Sequence, residues 1–231
     1  VSGILRRQSA ACGGGIGGAR VREIFFDLDG TLIDSAVGIT RCAAYALERM
    51  GEPVPDDAVL RSWIGPALRE SFRPLLRDPE RIEQAVGFYR ERFEAIGWSE
   101  HTPYPGLAEV IAELDSDGRR LSVVTAKNEP YARRIVEHLP FGGVFDEVVG
   151  ATWDGSRSHK PDLIQEMLDR LGVEPRHAVM IGDRRMDMEG ARHHSMPGIG
   201  VLWGFGSEQE LRDAGASHVV AAPTELTTLL S

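Results

Sequence analysis

With 231 residues, 42% of them hydrophobic and 26% charged, the chain is long enough to bury a core and ordinary for a globular protein. A net charge of −9 argues against a nucleic-acid surface, which needs a basic stripe, so an anionic ligand would have to be met by a local cluster of cations. No apolar run reaches membrane-spanning length, and two cysteines, Cys12 and Cys42, give neither a metal nor a disulfide pattern, which together favour a cytoplasmic location without a membrane.

Residues 1–20 are rich in Gly with scattered Arg and are expected to form a flexible tail. Gly13, Gly15 and Gly18 fit G-x-G-x-x-G, but no strand precedes them and a strand follows, so a dinucleotide loop is rejected. The apolar run 23–26 reads as a buried strand of a parallel sheet, and it ends in Asp27-Leu28-Asp29-Gly30-Thr31. Two carboxylates this close at a strand end are costly unless a cation lies between them, and hard oxygen donors suit Mg2+. Asp and Gly are also ordinary turn residues, so D-x-D by itself does not decide.

Helical spacing follows over 35–50, ending at Gly51, then over a stretch running into Trp63-Ile64 and again over 67–76. Asp78-Pro79 opens a longer helix that carries Ile82, Ala85, Val86, Tyr89 and Phe93 on one face and stops at Gly97. Residues 36–100 thus form an all-helical insertion. From residue 101 helices and strands alternate: helix 107–114, strand 121–125, helix 131–139, strand 145–149, helix 163–171, strand 178–181, helix 186–194, strand 199–202, helix 208–214 and a last strand at 219–220. Such alternation means a parallel sheet with helices on both faces, whose site lies at the carboxyl ends of the strands.

Polar residues close several of these strands. Thr125, followed by Ala126-Lys127-Asn128, offers a hydroxyl and free backbone N–H groups to a phosphate oxygen, although a strand-ending Thr often only caps a helix. Lys160 stands just before a helix in His159-Lys160-Pro161-Asp162. Asp183 and Asp187 follow the strand Val179-Met180-Ile181-Gly182, a spacing that suits a metal site or a helix cap.

In order and in strand context these strings resemble the four motifs of the haloacid dehalogenase-like hydrolase superfamily over residues 21–231, and the insertion resembles its helical cap. The strings Ile64-Gly65-Pro66-Ala67-Leu68-Arg69, Thr102-Pro103-Tyr104-Pro105-Gly106 and Asp154-Gly155-Ser156-Arg157 are similar to the phosphoglycolate phosphatase and 5′-nucleotidase branch. The resemblance implies an α/β Rossmann-like core over 21–35 and 101–231 with a cap over 36–100. It also implies an Mg2+-dependent phosphatase that acts on a small phosphorylated metabolite. Asp27 would be the nucleophile and Asp29 the acid and base. Asp27, the Asp29 carbonyl and Asp183 would hold the metal, with Asp187 supporting its water shell. Thr125, Ala126 and Lys160 would hold the phosphoryl group, and Gly65 and Arg69 of the cap would face the leaving group. A phosphomutase, or a protein-directed role in phosphotyrosine signalling, is the alternative. Ser195 departs from the family, which often has Gly there. The oligomeric state and the ester itself are not legible.

Overall fold

The computed structural model describes residues 21–231, so the expected tail over 1–20 lies outside the described residues. Strand β1 (Glu23–Phe26) is followed by the two-residue β2 (Ile33–Asp34), and then by helices α1 (Ala36–Arg49), α2 (Asp57–Ser62), α3 (Leu68–Leu76) and α4 (Pro79–Ala95). The chain returns through β3 (Thr102–Pro103), α5 (Leu107–Ser116), β4 (Arg120–Asn128), α6 (Glu129–His138), β5 (Phe145–Ala151) and α7 (Lys160–Leu171). It ends with β6 (Ala178–Gly182), α8 (Arg185–His193), β7 (Gly198–Val201), α9 (Glu208–Asp213), β8 (His218–Val220) and α10 (Thr224–Leu230).

Six strands form one parallel sheet in the order β5-β4-β1-β6-β7-β8. This is the expected α/β architecture. The chain leaves β1 for β4 on one side and returns to β6 on the other, so β1 lies at the switch of strand order, where a crevice opens at the carboxyl ends. Every residue of β1 is buried, and its side chains alternate between the two faces. Ile24 and Phe26 join the core under α5, α6 and α10, while Phe25 packs with Leu163, Ile164 and Met167 of α7.

The helices start and stop where local chemistry dictates. Asp78 accepts from the Glu80 N–H at 3.0 Å with Pro79 in the first turn of α4. Leu47, Phe72, Val86 and Phe93 fill the space between α1, α3 and α4, so the insertion has its own apolar centre, continuous with that under the sheet. Three elements, β2, β3 and α10, escaped the sequence pattern. Residues Ile33–Asp34 pair antiparallel with Thr102–Pro103 where the chain leaves and rejoins the sheet region, and α10 covers the core with Leu226 and Leu230.

The helix after the last motif turns through Ser195, whose φ of 54° is left-handed. A Cβ there costs about 1–2 kcal/mol, whereas glycine loses more chain entropy on folding by about 0.5–1 kcal/mol. Ser195→Gly is therefore expected to stabilise the protein by about 0.5–1 kcal/mol, a rise of roughly 1–4 °C in a thermal melt. A lower melting temperature would mean that the hydroxyl has a role of its own.

Candidate active site

Asp27 is the first residue beyond β1, and its N–H donates to the Ile181 carbonyl at 2.9 Å, which locks it between β1 and β6. Asp183 follows β6 directly, and Asp187 lies in the first turn of α8. All three carboxylates are buried, and each offers one oxygen within 4.8 Å of the others. Glycine makes room for them. A Cβ on Gly30, whose φ is +86°, would stand 2.2 Å from an Asp183 oxygen, and one on Gly182 would stand 2.2 Å from the Asp187 carboxyl carbon.

Lys160 enters this cluster from the first turn of α7, buried to 5% exposure. Its Nζ lies 3.0 Å from Asp27 Oδ1 and 2.7 Å from Asp187 Oδ1, and donates a hydrogen bond to the Val124 carbonyl at 2.9 Å. The two ion pairs are close without being aligned hydrogen bonds, so Asp27 Oδ1 and Asp187 Oδ1 keep unsatisfied acceptor capacity. Asp187 also acts as a cap, accepting from the Arg184 N–H through Oδ2 at 3.0 Å. One oxygen of Asp187 thus caps the helix while the other faces Lys160.

The electrostatics follow from crowding. Burial pushes the Asp27 carboxyl up to about 6, with Lys160 opposing and the Asp187 and Asp29 charges adding to the rise. Burial, reinforced by Asp187 and Asp27, raises Asp183 well above the carboxylate range. Lys160 is held above its ordinary value by Asp187 and Asp27 even though burial pulls it down. One ammonium among three buried carboxylates leaves negative charge in excess. Orphaned oxygens on Asp27 and Asp187, in an all-oxygen donor set, fit a hard divalent cation.

The side chain of Asp29 does not join that set. Its Oδ2 pairs with Lys127 Nζ at 2.8 Å, and its buried Oδ1 has no partner. Lys127 also lies 4.9 Å from the Phe93 ring centroid of α4, so it links the acid to the insertion. Thr125 is buried at the end of the apolar part of β4 and accepts from the Lys127 N–H at 3.3 Å, which leaves its own O–H free to donate. Asp27, Asp29, Thr125, Ala126 and Lys127 line one cleft with Gly65 and Pro66 of the insertion and the aromatic residues Trp63, Tyr89, Phe93 and Tyr131.

Arg69 is placed elsewhere. Its guanidinium makes a two-pronged contact with Glu83, at 2.5 and 2.8 Å, because that acid stands on the facing helix α4. It is thus paired and does not line this cleft, but it lines the adjoining pocket with Arg90, Ala126 and Asn128. The pattern also gave no role to Lys127, Thr31 or the loop after β7. Thr31 donates to Asp183 Oδ1 at 3.2 Å, the Phe205 N–H donates to Asp183 Oδ2 at 2.7 Å, and Trp203 Nε1 donates to the Thr31 carbonyl at 3.0 Å. The Gly-Thr after Asp29 and the Gly204-Phe205-Gly206 string were the only local signals.

Residues 24–201 match the family model described as "Haloacid dehalogenase-like hydrolase". The chain belongs to the haloacid dehalogenase-like hydrolase family. Within that family it is 41% identical to a 5′-nucleotidase of Pseudomonas aeruginosa, over 91% of this chain and 96% of that one. It is 31% identical to a phosphoglycolate phosphatase of Aquifex aeolicus, over 91% of this chain and 97% of the relative. It is also 37% identical to the tyrosine-protein kinase PtkA of Mycobacterium tuberculosis, over 87% of this chain and 69% of the relative. The crystal structure of a predicted phosphatase from Clostridium acetobutylicum superposes with a TM-score of 0.88 at 37% identity, covering 91% of this chain and 98% of that one. These relatives put this haloacid dehalogenase-like chain among the phosphatases of its family. Among the described residues no helix is long and apolar enough to cross a membrane.

Proposed function

We propose that the chain is an Mg2+-dependent phosphomonoesterase that works through an aspartyl-phosphate on Asp27, with a small phosphorylated metabolite as substrate. The observation that carries this reading is the buried Asp27 carboxylate, one oxygen without a hydrogen bond, 3.0 Å from Lys160 and grouped with Asp183 and Asp187. A carboxylate attacks a phosphate dianion only when both charges are screened. Asp27, Asp183 and the Asp29 carbonyl would hold the metal, which supplies Lewis-acid charge neutralisation, and Asp187 would support its water shell.

The chain's own residues do the rest. Lys160 screens and restrains Asp27, while the Thr125 hydroxyl and the Ala126 N–H orient phosphoryl oxygens. An Asp27 oxygen bonds to phosphorus as the ester P–O bond breaks, and the departing alkoxide takes a proton from Asp29. Asp29 then removes a proton from water, whose oxygen attacks phosphorus, releasing phosphate and the free Asp27 carboxylate. Asp29 Oδ1 is the oxygen suited to both transfers, since Oδ2 is engaged with Lys127. Helices α1–α4 act as the cap over the cleft, with Gly65 in its lining.

Phosphate release should appear with at least one of 2-phosphoglycolate, nucleoside monophosphates and sugar phosphates. It should fall to background in EDTA and return with Mg2+. Release that survives EDTA would overturn the metal assignment, and no release from any ester would favour a mutase. The PtkA likeness supports one second reading, transfer from Asp27 to a protein hydroxyl instead of water. Trapped phosphorylated protein with no free phosphate would mark that case.

A further inference from the structure

Two arginines of the insertion stand between it and the sheet, and they differ in one respect. Arg69 is closed by Glu83. Arg90, on α4, lines the cleft beside Lys127 and Asn128 and has no carboxylate within ion-pairing distance among the described residues. Its Nη2 donates to the Trp153 carbonyl at 2.7 Å and to Asn128 Oδ1 at 3.2 Å, both neutral acceptors. Its buried Nε has no partner.

The guanidinium is nonetheless firmly placed. It lies 3.8 Å from the Trp153 ring centroid, in a cation–π stack that fixes its plane. Asn128 is fixed as well, because its Nδ2 donates to the Ala151 and Thr152 carbonyls at 3.3 and 2.9 Å, which turns Oδ1 towards Arg90. A half-buried charge with no counter-ion is costly, and burial together with nearby Arg69 draws the Arg90 pKa down. Lys127, the other cation lining the cleft, is engaged with Asp29. Arg90 is therefore the pre-oriented cation of the cleft that lacks an anion.

We propose that Arg90 is a specificity-determining residue that receives a second anionic group, carboxylate or phosphate, on the leaving group of the ester cleaved at Asp27. The proposal rests on the phosphatase reading above and deepens it by naming the substrate class. Thr125 and Asn128 stand three residues apart at the end of β4, and Asp27, Thr125, Asn128 and Arg90 line the same cleft. The alcohol portion of an ester whose phosphoryl group sits at Asp27 would thus share its cleft with Arg90. The guanidinium suits a carboxylate or phosphate there through Nη1, whose hydrogens are left over by the Nη2 bonds and would make charge-assisted hydrogen bonds.

The test uses matched probes that differ only in the distal group. One pair is 2-phosphoglycolate and 2-hydroxyethyl phosphate, and the other is glucose 1,6-bisphosphate and glucose 1-phosphate. The wild type is expected to favour the anionic member of one pair in kcat/KM, and that pair shows whether carboxylate or phosphate is read. Arg90→Gln should cut the preference at least about tenfold, chiefly through KM, the scale of one charge-assisted hydrogen bond. Arg90→Lys, which keeps the charge, should retain part of the preference and serves if the Gln variant does not fold. An unchanged preference, or an equal loss for both members of each pair, would overturn the proposal, because the latter is what a purely structural Trp153 stack would give. Calorimetric binding of the same pairs to Asp27→Asn separates the two readings. A preference present in Asp27→Asn and lost in Asp27→Asn/Arg90→Gln supports the subsite even where the wild type turns over nothing, which would overturn only the phosphatase reading. No preference in Asp27→Asn overturns the Arg90 subsite alone.

Discussion

Asp27→Asn is expected to lower phosphate release by at least about ten-thousand-fold, the scale seen when a covalent nucleophile is removed. The amide keeps the shape of the carboxylate but is not a nucleophile, so the loss should fall on kcat. The fold should survive. Asp27 is held by its backbone N–H to Ile181, and Lys160 keeps Asp187 as a partner. A thermal melt should therefore stay within a few degrees of the wild type. Steady-state release and the melt together decide the matter. A variant that retains more than about one part in a hundred of the rate would move the nucleophile to another residue.

Lys160→Met should damage stability as well as rate. The ammonium bridges two buried carboxylates and donates to Val124, and α8 approaches it so closely that a Cβ on Gly190 would stand 2.8 Å from Lys160 Cγ. Met fills the same channel without charge, which leaves Asp27 and Asp187 facing Asp183 unscreened. Losing one partner of a buried ion pair costs about 3–5 kcal/mol, and here protonation of a carboxylate will hold the cost near the lower end. The expected drop in melting temperature is at least roughly 6 °C. Turnover should fall at least about a thousandfold, since a phosphate dianion would then approach an unscreened Asp27. An unchanged melt with kcat within about tenfold of wild type would show that Lys160 has no such role.

The sheet and the carboxylate cluster were legible because both are written locally. The core strands are short and mostly apolar, and β1, β4 and β6 lead into Asp27, Thr125 and Asp183, polar residues that the parallel arrangement carries to one crevice. Asp27, Thr125 and Asp183 were candidates by position, whereas Lys160, which opens α7, and the roles of all four came from the resemblance of the motifs taken together. Partners across the chain were not legible. Nothing around Arg69 announces Glu83, and nothing around Asp29 announces that Lys127 of another strand turns towards it. The pairing of Ile33–Asp34 with Thr102–Pro103 has no periodicity to detect, because two residues carry no alternation and one of them is proline. Helix α10 is short and ends the chain, and it is specified mainly by the groove that receives Leu226 and Leu230.

That two-residue ladder has a mechanical consequence. Outgoing Asp34 and returning Thr102 are paired neighbours, so the chain enters and leaves the insertion at one place. Arg90 on the Trp153 carbonyl and Lys127 against the Phe93 ring add to that anchor from α4 of the insertion. For the sheet, the intervening chain closes as compactly as a hairpin loop would. Evolution can therefore lengthen, shorten or replace that body without disturbing the register of any strand that carries an acid.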